Sequence, residues 1–178
     1  GSKGALRYEI TASGRMSHSA YPELGESAIE KLLDVLQALR QIQLPVDPVL
    51  GESTMNIGTL TAGRAPNVVP DHAKAEVMIR LVNDPTSTKE AVQQAAAGKA
   101  DANEVLCIPA VLLESVPGIE TTVVKYTTDI PAFGGQWGKP LLIGPGTIHV
   151  AHTSEERVPK RELVDAIGLY QHLVKSLL

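Results

Sequence analysis

Residues 72–82, HAKAEVMIRLV, constrain the fold more than any other stretch. Ala73, Ala75, Val77, Ile79 and Leu81 fall on one side of a period-2 alternation, with Lys74, Glu76 and Arg80 on the other. Successive strand side chains point to opposite faces, so the pattern describes a sheet covered on one face and wet on the other. A second signal precedes it. Ile29, Leu32, Leu33, Leu36 and Leu39 recur at helical spacing, and Ser27 with Glu30 three residues on is a capping box at their start. This helix must end before Pro45.

The remaining elements follow from the same reasoning. Residues 5–13 and 53–61 alternate as strands, and Asp84-Pro85-Thr86 opens a second helix running to about Ala97. Residues 104–113 supply a last strand, which Pro109 confines to an edge or a bulge. Pro22 and Gly25 keep GRMSHSAYPELGES a loop, and AGRAPNVVPD is a turn-rich connection. The order β-α-β-β-α-β over residues 4–116 predicts a ferredoxin-like unit within a mixed α/β (α+β) chain. Residues 117–178 read differently. Residues 121–138 are irregular to helical, PLLIG at 140–144 is a short buried strand, and GPGTIHVAHTSEE is a loop. A helix runs from Pro159 to the end, with Leu163, Ile167, Tyr170, Val174 and Leu177 on one stripe.

Composition narrows the function classes. With 178 residues, 43% hydrophobic and 20% charged, the chain can bury a core without a disulfide or structural metal. A net charge of -4 argues against a nucleic-acid partner. No apolar run approaches the ~20 residues of a membrane span. A lone cysteine, Cys107, excludes an internal disulfide framework and a multi-cysteine zinc site, and fits a cytoplasmic setting. The chain opens Gly1-Ser2 without an initiator Met, which implies that the natural chain begins elsewhere.

Five histidines are the candidates for chemistry. His172 lies in a helix and reads as structural, and His72 as a solvated residue after a turn. His149 and His152 form an H-x-x-H pair with Glu155 and Glu156 nearby, but one short loop rarely supplies every ligand of a metal site. His18, in a Gly/Ser/Pro loop, could act as an acid, a base or an oxyanion donor, or be a plain surface residue. G-P-G at 144–146 marks a sharp turn, not a phosphate cradle.

Three stretches together change the reading: GRMSHSAYPELGESAIEKLLDVLQAL, STMNIGTLTAGRAPNVVPDHAKAEVMIR and GPGTIHVAHTSEERVPKRELVDAIGLYQHL. In this order, over nearly the whole chain, they resemble the dinuclear-zinc amidohydrolase and exopeptidase family of acetylornithine deacetylase, succinyl-diaminopimelate desuccinylase, aminoacylase and glutamate carboxypeptidase. The resemblance implies that residues 4–116 are a lid, or dimerisation, domain forming a homodimer. Residues 117–178 would be the C-terminal part of a zinc-binding catalytic domain. It implies that His152, in AHTSEE, is a zinc ligand and that His18 stabilises an oxyanion in a partner subunit's site. Asn67 and Arg80 would hold the carboxylate end of the substrate, and the turn at Gly144 and Gly146 would line its pocket. Before the resemblance, Asn67 reads as a turn residue and Arg80 as a solvated strand charge.

The family's two zinc ions need an H-x-D motif, a bridging Asp and a Glu-Glu pair from an N-terminal stretch that this sequence lacks. The expectation is therefore a fragment, inert alone. The parent would be a zinc-dependent enzyme that removes the N-acyl group of an amino acid, acetylornithine deacetylase-like or succinyl-diaminopimelate desuccinylase-like, or cleaves a dipeptide. The alternative is a non-catalytic dimerisation module of ferredoxin-like fold.

Overall fold

The computed structural model describes residues 1–177. It divides into two compact units, one of residues 1–112 with 122–134, the other of residues 113–121 with 135 onward. The first unit runs β1 (Ala5–Ser13), β2 (Ser17–His18), a 3-10 turn (Pro22–Leu24), α1 (Ala28–Arg40), β3 (Val46–Asp47), β4 (Gly51–Glu52), β5 (Thr54–Ala62), β6 (Val68–Val69), β7 (His72–Arg80), α2 (Thr86–Ala96) and β8 (Asp101–Ile108). Residues 130–133 add another 3-10 turn.

The four long strands form one antiparallel sheet in the order β5-β7-β1-β8, the ferredoxin-like arrangement expected from the sequence. Both central strands bury one face. Leu6, Tyr8, Ile10 and Ala12 of β1 stand opposite Ile79, Val77, Ala75 and Ala73 of β7, and all are sealed from solvent. The other face carries Glu9 and Lys74, paired at 2.6 Å, with Glu76 and Arg80. The last strand differs from expectation. It begins at Asp101, opposite Thr11, and ends at Ile108. Pro109, with no N–H to continue the ladder, lies just past its end. As Pro109 implies, β8 is an edge.

α1 covers the buried face with Leu32, Val35, Leu36 and Leu39, each contributing about 2 kcal/mol of apolar burial. Its start is fixed by Ser27, whose hydroxyl accepts the Glu30 N–H at 3.2 Å. α2 starts under Asp84, whose carboxylate accepts the Thr86 N–H at 2.9 Å. The core is uneven in thickness. Ala62, Ala73 and Ala12 make a row of small residues across β5, β7 and β1, whereas Met55, Ile79 and Leu6 fill the other end. Ala28 opens α1 at the alanine end, its N–H bonded to the Pro70 carbonyl at 2.9 Å.

The second unit holds a 3-10 turn (Ile148–Val150) and α3 (Lys160–Leu177). The expected strand at 140–144 is not formed. The segment has no ladder, Leu142 is 41% exposed, and the Pro140 carbonyl accepts the Glu114 N–H at 2.9 Å. A strand needs a paired neighbour to satisfy its alternating N–H and C=O groups, and apolar composition alone does not provide one. α3 buries Ala166, while the stripe Leu163, Ile167, Tyr170, Val174 and Leu177 is 41–59% exposed. No helix of the described residues is long and apolar enough to cross a membrane.

Candidate functional site

The loop bearing His18 is held at its neck. Arg15 and Glu26 exchange two backbone hydrogen bonds of 2.8 Å each. Gly14 permits this approach, since a Cβ there would stand 2.0 Å from the Glu26 carbonyl oxygen. Beyond the neck, β2 and β6 form a small antiparallel ribbon in which Ser17 faces Val69 and His18 faces Val68. The Ser19 N–H donates to the Asn67 carbonyl at 3.0 Å. The structure thus brings two of the sequence candidates, His18 and Asn67, onto one exposed ribbon.

The His18 ring has a defined hydrogen-bond polarity. Its Nδ1 accepts the Ala20 N–H at 3.1 Å. In the neutral imidazole the proton then resides on Nε2, which becomes the donor. A ring fixed this way can give a hydrogen bond to a developing negative charge without first gaining a proton.

Arg80 does not join them. It ends β7, a strand that begins at His72 near the ribbon, so about 25 Å of extended chain separates the two ends. Half-buried on the wet face opposite Thr54, Arg80 is a guanidinium able to engage a carboxylate in a fork. One copy of this unit therefore carries two polar centres at opposite ends of its sheet.

In the second unit, Gly144, Gly146, His149 and His152 lie in one loop. Gly146 has φ 90°, and a Cβ there would press on Val158 at 3.1 Å. Its N–H donates to the Glu162 carboxylate at 2.8 Å, which ties the turn to the first turn of α3. No motif marks Glu162 in the sequence; its only signal is an acidic residue in a helical first turn. Gly144 is less constrained, with the Tyr170 hydroxyl 3.8 Å from a hypothetical Cβ. His149 sits inside the 3-10 turn that Thr147 caps. His152 is exposed, in a left-handed conformation with φ 62°.

These groups are not gathered into a metal centre. Among the described residues, no three His, Cys, Asp or Glu side chains gather where an ion could be held. The exposed imidazole of His152 offers one donor, and a two-zinc site needs several.

Comparison with known proteins places these features in context. A family model described as a peptidase dimerisation domain matches residues 1–105. The chain is 39% identical to a probable carboxypeptidase of Aspergillus niger, over 99% of this chain and 47% of that protein. It is 36% identical to a peptidase M20 domain-containing protein of Schizosaccharomyces pombe, over 98% and 44%. Among solved structures, aminopeptidase PepT of Bacillus cereus superposes with a TM-score of 0.68 at 20% identity, covering 92% of this chain and 49% of that one. A tripeptidase of Staphylococcus aureus gives 0.67 at 22% identity, covering 92% and 48%. At these identities the structural likeness is one of fold. The chain spans about half the length of the curated relatives it matches.

Proposed function

The chain belongs to the M20 peptidase dimerisation domain family, and from that premise we propose that it is the lid and closing segment of a zinc-dependent hydrolase. The substrate class is an N-acylated amino acid, acetylornithine or succinyl-diaminopimelate in type, or a short peptide with a free carboxylate. The observation that carries this reading is the separation of the His18–Asn67 ribbon from Arg80 along β7. A single lid cannot bring all three to one small substrate. Two lids can, if the ribbon of one protomer meets the Arg80 end of the other's site.

In that arrangement Arg80 grips the substrate carboxylate and Asn67 assists in orienting it. His18, reaching across from the partner, donates its Nε2 proton to the oxyanion that forms on the amide carbonyl. His152 serves as one metal ligand of the complete enzyme. Alone, the chain is inactive, because a single imidazole does not build the metal centre. Gly144 and Gly146 form the turn that lines the substrate pocket.

The second reading, a dimerisation module without catalysis, draws on the β5 edge. β5 (TMNIGTLTA) carries no charged residue and no proline, while β8 carries Asp101 and Glu104. Edges that must stay solitary usually bear charge, so β5 is the edge suited to pairing with a second copy.

One experiment decides between them. The chain is joined in frame to the part of the Aspergillus niger relative that it does not span, and peptide and N-acyl amino acid hydrolysis is measured. Turnover that falls about 100-fold or more on His18→Ala supports the lid reading. A dimer that forms while turnover stays absent leaves the module reading.

A further inference from the structure

We infer that Glu156 is a positioning residue that locks His152 in its left-handed backbone conformation. This rests on the reading of His152 as a functional residue. Its geometry stands independently.

His152 has φ 62° and is the non-glycine residue with positive φ among those described. An L-residue with a Cβ pays for that conformation through contact with its own backbone, so something must hold it there. Most of the surrounding turn is closed by main-chain bonds. Ala151 N–H donates to Ile148 O at 3.1 Å, Thr153 N–H to Val150 O at 3.3 Å and Glu156 N–H to Thr153 O at 3.2 Å. The Thr153 hydroxyl reinforces this, donating to Val150 O at 2.7 Å and accepting the Glu155 N–H at 3.1 Å.

The His152 N–H is treated differently. It donates to a side chain, the Glu156 carboxylate, at 3.1 Å. The two adjacent glutamates thus divide the work. Glu155 faces Arg157 at 3.4 Å, while Glu156 turns back over the loop to the His152 amide. Removing the Glu156 carboxylate removes the bond that holds the strained residue and leaves the rest of the turn intact.

The test uses the isotopically labelled chain without metal or substrate, so that it reads the lock separately from any role of His152 as a ligand. A positive φ brings the amide and α protons of one residue close, giving a strong intraresidue cross-peak at His152. Glu156→Ala should abolish that peak and speed His152 amide exchange about tenfold, the loss of one charge-assisted bond. Glu156→Gln, whose amide oxygen still accepts, should restore both. In a His152→Gly background Glu156→Ala should leave the Ala151 and Thr153 amide shifts in place, because glycine needs no such support. If Glu156→Ala keeps the cross-peak and the parent exchange rate, or if Gln is as damaging as Ala, the inference is overturned.

Discussion

Leu60 of β5 and Ala75 of β7 stand directly opposite each other on the helix-bearing side of the sheet, yet Ala75 is sealed and Leu60 is 52% exposed. The helical layer stops short of the β5 edge. On α1, Leu33 is also half exposed, and Ile29 reaches toward the end of β5, where it would touch a Cβ on Gly63 at 3.2 Å. An uncharged strand edge and an uncovered apolar flank thus adjoin.

This flank gives the first prediction. Leu60→Lys should raise the dimer dissociation constant about tenfold or more, read by sedimentation equilibrium, with the circular dichroism spectrum unchanged. Val105→Lys on the opposite edge strand should leave association as it was. Equal effects of the two would remove β5 from the interface.

Leu32 lies on the buried face of α1, within the core cluster. Leu32→Ala should destabilise the first unit by about 3 kcal/mol in urea unfolding, through lost transfer energy and the cavity left behind. Ser27→Ala should cost about 1 kcal/mol by freeing the Glu30 N–H. A smaller ratio between the two would mean that the helix refits over the cavity.

Hydrogen bonds from the Thr86 side chain and backbone hold the Asp84 carboxyl below its ordinary range. A depressed folded-state value means that its contribution is present above the unfolded carboxylate value of about 3.9 and is lost as pH falls through the folded value. Asp84→Asn should therefore lower Tm at neutral pH, and the difference from the parent should close on acidification. A gap that widened in acid would reverse this assignment.

Gly146 and Gly144 should respond unequally to alanine. Gly146→Ala meets both a positive φ and Val158, and should cost about 1–3 kcal/mol in the stability of the second unit. Gly144→Ala meets ordinary contact and should cost little. Amide exchange across residues 144–162 separates the two.

Much of the first unit was legible because its signals are local. The alternation of residues 72–82 and the Ser27 cap each act within a few residues, and the strand and the Glu30 N–H to Ser27 hydroxyl bond both appear. The strand expected at 140–144 failed for the complementary reason: apolar composition says that a segment seeks burial, not that a pairing neighbour stands beside it. At the site, the family resemblance nominated His18 and Asn67, but their meeting on one ribbon depends on the register of β2 with β6. Local pattern does not encode that register. The Glu156–His152 bond was hidden likewise, since a charged pair in a loop looks the same whether it faces solvent or its own backbone.

The row of Ala62, Ala73 and Ala12 bears on how this domain can vary. At the Leu6–Ile79 end, volume can be traded between neighbours, a smaller side chain on one strand answered by a larger one on the next. At the alanine end there is nothing to give up. A methylene added there must be accommodated by the core cluster that also holds Ala28, and Ala28 is bonded to Pro70, the residue that follows β6. The disturbance reaches the ribbon of His18 and Asn67 without either residue being touched. Substitutions in this interior corner should thus be filtered as strictly as those at the surface they support, and the two ends of one core should drift at different rates.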